Sequence, residues 1–118
     1  MEEELDEQEI YVDNRNEFVK PQKPTILIKP SMRLTSSSLT RAEATRAISI
    51  RAERIARGDP VYTDVAGIST ARDQAIKELY DGKNPLIVVR VYNGYREEFE
   101  VKEMRLPDKF RDDFPVPV

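Results

Sequence analysis

The stretch LIVVRVYNGYREEFEV, residues 86–101, reads as a β-hairpin. Two runs rich in β-branched and aromatic residues flank Asn93 and Gly94, and Asn-Gly readily supplies the two positive φ angles of a type I′ turn. A two-residue turn also sets the register. Tyr92 opposes Tyr95, Arg90 opposes Glu97, Val88 opposes Phe99 and Leu86 opposes Val101, all on one face. That face is apolar except for an expected cross-strand ion pair between Arg90 and Glu97. The other face sets Val91, Val89 and Ile87 against Arg96, Glu98 and Glu100. The first strand is therefore expected to be buried on both sides and the second on one.

Two helices are expected upstream. Thr40 followed by Glu43 is a capping box, in which the threonine hydroxyl accepts an orphan backbone N–H and the glutamate reaches back to the cap. Leu39 before it can act as a hydrophobic staple. The first helix should run from 41 to 57 and stop at Gly58, with Pro60 barring continuation. Residues 61–69 connect to a second helix that begins at Ser69 or Thr70 and ends near Asp81 and Gly82. Its apolar stripe is Ala71, Ala75, Ile76, Leu79 and Tyr80. The fold class is α+β, a two-helix core with a C-terminal β-hairpin. VKEMRLP, from Val101, suits a further helical turn, and residues 111–118, ending in FPVPV, read as an extended tail because proline disfavours helix and central strand.

At the other end, TILIKP is closed by Pro30, and residues 25–32 read as an edge strand or extended arm, with a buried loop as the alternative. Residues 1–17 hold eight acidic residues against Arg15, a net of −7 within a chain of net −3. So acidic and core-poor a segment is expected to stay solvated, which makes residues 1–24, closed by KPQKP, a mobile tail and linker.

The chain has 118 residues and neither cysteine nor histidine. Thiol nucleophiles, thiolate or imidazole metal sites and the usual general base near neutral pH are thereby removed, and no cofactor or small-molecule substrate is expected. A folded part of roughly 80 to 90 residues has a small core, and without disulfide or metal a partner subunit is the leading source of further stability. No apolar run approaches the roughly 20 residues of a membrane span, and the acidic N-terminus lacks the features of a signal peptide. A soluble, intracellular protein is expected.

The first helix carries Arg41, Arg46, Arg51, Arg54 and Arg57. At about 100° per residue, Ala44, Ala47, Ile48, Ala52 and Ile55 form its core face. Arg51 falls inside that band, where its charge must be paired or must snorkel out along its stem. Ile50 lies on the opposite side among Arg46, Arg57, Glu43 and Glu53, an apolar anchor within a charged rim such as protein-binding helices carry. For nucleic acid the field is broken by Glu43 and Glu53, and the helix has no aromatic stacking platform.

Three blocks together resemble the omega-type subunit of multisubunit DNA-directed RNA polymerases, in its eukaryotic and large-DNA-virus form. They are RLTSSSLTRAEATRAISIRAERIARGDPV, ARDQAIKEL and GKNPLIVVRVYNGYREEFEVKEM, spanning about residues 33–106. The resemblance implies an omega-type domain over 33–110. It implies a noncatalytic subunit that clasps the C-terminal region of the largest polymerase subunit, promotes assembly alongside the other subunits and meets DNA only through the complex. No membrane is involved, and the compartment is the nucleus, or a cytoplasmic factory or virion if the source is viral. Matched positions are Thr40, Arg41, Glu43, Arg46, Arg51 and Ala52 in the first block, Lys77, Glu78 and Leu79 in the second, and Lys83, Pro85 and Arg90 in the third. With Ile50 these are the candidate partner-binding residues, and the family's "RA" element suggests that the partner helps to hold Arg51. A small nucleic-acid-binding module built on the arginine-rich helix is the alternative, and a small enzyme comes third. Glu97 and Glu98 point to opposite faces of one strand and cannot flank a substrate together.

Overall fold

The computed structural model describes residues 8–116. In chain order come β1 (Glu9–Asp13), β2 (Ile26–Leu27), α1 (Arg41–Ala56), α2 (Ala71–Tyr80), β3 (Ile87–Tyr92), β4 (Tyr95–Glu100) and the single turn α3 (Phe110–Asp113). Two 3-10 turns, Pro30–Met32 and Val101–Glu103, stand beside β2 and β4. The fold is α+β, with α1 and α2 packed together on one face of a four-stranded sheet of order β1-β3-β4-β2.

Local chemistry sets the element ends. Asn93 and Gly94 take φ of 50° and 79°, and the hairpin pairs Tyr92 with Tyr95, Arg90 with Glu97 and Val88 with Phe99 as expected. The Val101 N–H reaches the Leu86 carbonyl at 3.0 Å and extends that register by one step. At the start of α1, Thr40 accepts the Glu43 N–H at 3.1 Å and Glu43 accepts the Thr40 N–H at 2.9 Å, the reciprocal capping box. Its end is a Schellman turn: Gly58, at φ 106°, donates to the Ile55 carbonyl and Asp59 to that of Arg54, both at 3.0 Å. α2 repeats the scheme, capped by Thr70 and closed by Gly82 donating to Leu79 and Lys83 to Glu78.

The core lies between these layers. Ala44, Ala47 and Ile48 of α1 and Ala75, Ile76 and Leu79 of α2 meet Ile10, Val12, Val88 and Phe99 from the sheet, with Leu39, Leu86, Val101 and Phe110 closing its ends. Wholly buried alanines let the helices approach closely, and the larger side chains fill the space above the sheet.

Two expectations are corrected. Part of the expected mobile tail is β1, a strand parallel to β3 that places Ile10 opposite Val88 and Val12 opposite Arg90, both 3% exposed. EIYVD alternates with period two, so the apolar residues turn inward while Glu9, Tyr11 and Asp13 stay on the other face, where the carboxylates escape the cost of burial. Residues 1–7 of that expected tail lie outside the described residues. The second correction concerns residues 111–118. Through Asp113 they belong to α3, and Phe114 stacks on buried Phe110 at 4.6 Å. The Tyr80 hydroxyl donates to the Phe114 carbonyl at 2.5 Å. Two aromatic rings anchor this segment, and its prolines fall after the helical turn; residues 117–118 lie outside the described residues.

β2 is an edge strand, parallel to β4. To reach it from β1 the chain crosses the sheet face opposite the helices, where Arg96 donates to the Thr25 carbonyl at 2.6 Å.

Candidate partner-binding surface

Arg90 leaves the core face of β3 and meets the start of α1. Its Nε donates to Glu43 Oε2 at 3.0 Å and its Nη2 to Oε1 at 2.8 Å, a planar fork on the same carboxylate that caps the helix. Further donations reach Thr35 Oγ1 and the carbonyls of Ser36 and Ser38. The expected Arg90–Glu97 ion pair is therefore replaced. The TSSS loop lies over that end of the hairpin and brings Glu43 to the guanidinium, while Glu97 turns to other donors.

Glu97 is fully buried and accepts from the Leu34 N–H at 2.7 Å, the Thr35 N–H and hydroxyl, and the Tyr92 hydroxyl. Burial alone would push its carboxyl up, but bonds from Thr35, Tyr92 and the two backbone amides outweigh it and hold the group below the ordinary glutamate value. The same bond, with burial, pushes the Tyr92 hydroxyl up to about 12.

Arg51 is 2% exposed and Glu78 is wholly buried. Nε donates to Glu78 Oε1 at 2.5 Å, Nη2 to Oε2 at 2.8 Å and to the Pro60 carbonyl at 2.9 Å. The Tyr62 N–H donates to Glu78 as well, and the Tyr62 ring lies 5.4 Å from the guanidinium carbon. The bond to Glu78 raises the guanidinium's pKa further, against the opposing effect of burial. Of the two outcomes expected for this arginine, pairing is the one observed: its head does not snorkel to solvent, and within this chain the carboxylate that satisfies it comes from α2.

The thirteen candidate positions therefore divide. Thr40, Glu43, Arg51, Glu78, Leu79 and Arg90 cap, pair or fill the interior. Ile50, expected as an exposed anchor, is half-buried against the core together with Ala52, and Pro85 is half-buried before β3. Lys77 pairs with Asp81 at 2.7 Å along α2. Exposed are Lys83, Arg46 and Arg41, the last paired with Asp113 at 2.7 Å. Arg46 lies over the Phe18 ring at 5.6 Å, and with Arg41, Ala42, Thr45 and Ser49 these residues line one open concavity on the outer side of α1. Phe18 was not among the expected site residues, because it lies in the segment assigned to the tail; an aromatic residue inside an acidic stretch was the available signal.

No protein-family model matches the chain, and no curated protein matches it at a significant level. Among the described residues no helix is long and apolar enough to cross a membrane.

Proposed function

We propose that this chain is a noncatalytic, omega-type subunit of a DNA-directed RNA polymerase, which clasps the C-terminal region of the largest subunit and promotes assembly of the enzyme. One observation carries the reading: two ion pairs, each on a buried carboxylate, join the three blocks on which the family resemblance rests. Glu43 with Arg90 ties the first block to the third, and Arg51 with Glu78 ties the first to the second. The spacing of charges across these blocks thus serves one purpose, to hold α1, α2 and the hairpin as a single rigid body. Rigid placement of an outer face is what a clasping subunit needs, since less side-chain and loop ordering remains to be met on binding. Arg41, Arg46 and Lys83, with the concavity beside Phe18, form the outward part available to the largest subunit.

Affinity purification of the tagged chain from its native source tests the proposal. The expected result is recovery of the two largest polymerase subunits, and their absence from a soluble, folded preparation would overturn it. The nucleic-acid reading loses its main support once the arginines are followed in space, since Arg51 is buried on Glu78 and Arg57 pairs with Glu53 at 2.6 Å. Mobility-shift assays at two salt concentrations should show no steeply salt-dependent binding to DNA or RNA.

A further inference from the structure

The sheet is left half covered at its β2 edge. β4 has six residues, but Ile26 and Leu27 stand opposite only Tyr95 and Arg96. Ile28 then donates to the Arg96 carbonyl at 2.9 Å, and the chain turns off into the Pro30–Met32 turn. Alternation along β4 points the peptide groups of Arg96 and Glu98 away from β3. The Glu98 carbonyl takes the Arg33 guanidinium, and no residue of β2 stands opposite Glu98.

Beside this gap lies a groove of about 310 Å³ with an apolar floor of Leu27, Ile28, Pro30 and Ile87. Its rim carries three carboxylates, Glu98, Glu100 and Glu103, against Arg33. Glu98 is bonded to Arg96 at 2.9 Å, whereas Glu100 has only Lys102 at 3.9 Å. Next to the groove the chain exposes Ile26 (65%), Leu27 (48%), Met32 (66%) and Leu34 (81%). Single exposed apolar residues are ordinary, but four within one short arm leave apolar surface that a protein partner could cover.

We propose that this groove takes an extended segment of a partner protein that alternates apolar and basic side chains and runs along β4 where β2 leaves off. The backbone would accept from the Glu98 N–H, the apolar side chains would cover the floor, and the basic ones would meet Glu100 and Glu103, a strand-addition mode of recognition. Charge selects this occupant. A second copy presenting the same edge would set carboxylates against carboxylates. The inference stands independently of the polymerase reading, because it rests on the sheet edge and not on the three blocks.

Two synthetic peptides of about eight residues, one alternating valine with lysine and the other valine with glutamate, are titrated into the isotope-labelled full chain and followed by NMR. The lysine peptide should shift the amides of residues 98–103, slow hydrogen exchange at Glu98 and bind at least about tenfold more tightly than the glutamate peptide. Glu100→Lys combined with Glu103→Lys, both at exposed positions, should invert that preference without changing the melting temperature. If the double variant does not fold, Glu103→Gln alone should narrow the gap between the peptides. Equal binding of the two peptides, or shifts confined to another surface, overturns the proposal. Protection of Glu98 that grows with protein concentration in the absence of peptide also overturns it, in favour of a second copy.

Discussion

Arg51 can lie inside so small a core only because Glu78 offers both carboxylate oxygens and Pro60 a carbonyl. Removing one partner strands the other charge, so Arg51→Leu should destabilise the chain by about 3–5 kcal/mol, read from the urea midpoint. Arg51→Leu together with Glu78→Leu should recover much of that loss, because the uncompensated carboxylate goes with its partner. Arg51→Lys should recover only part, since an ammonium lacks the planar fork. A single Arg51→Leu variant as stable as the parent would show that the pair contributes nothing. Glu97 supplies a pH dependence. Its folded value lies below the ordinary 4.5, so the stability it contributes is present above that value and is lost as pH falls through the folded one. Melting temperatures measured between about pH 7 and pH 2 should therefore show a shallower acid limb for Glu97→Gln than for the parent. Thr40 and Glu43 were legible as a cap because their bond spans three residues. That Glu43 would also take Arg90 was not, since the two lie 47 positions apart.

At the scale of elements, β1 is where charge and pattern pulled the reading in opposite directions. The alternation of Ile10 and Val12 is plain in EIYVD, but a net of −7 over residues 1–17 made solvation look the stronger tendency. Charge on one face of a strand does not oppose burial of the other, and the pattern prevails. Ile10→Ala should accordingly destabilise by about 2–5 kcal/mol and speed hydrogen exchange along β3, which pairs with β1. Unchanged exchange in β3 would mean that β1 does not hold its edge. The helix limits and the hairpin needed no such arbitration. Their signals, a threonine cap, a glycine at positive φ and Asn-Gly, each act within a few residues of the backbone they shape.

Taken as a whole, the molecule has one modest core fastened by two ion pairs on buried carboxylates and no covalent staple among its residues. A partner that binds only the folded state should raise its melting temperature by mass action, by about 2.7 kcal/mol of stability at a hundredfold excess over Kd. Thermal melts of the chain alone and with the largest polymerase subunit measure this, and identical melting in both would argue against the proposed clasp. By itself the sequence determined whatever is decided between near neighbours: where α1 and α2 start and stop, the hairpin's turn, and therefore the register of β3 on β4. Only the tertiary structure decided the order β1-β3-β4-β2, the aromatic anchoring of α3, and which carboxylate answers Arg51 and which Arg90. The physical reason is range. A parallel pairing such as β1 on β3 has no tight turn to set its register, and an ion pair between distant residues exists only once packing has brought its members together and taken them out of water.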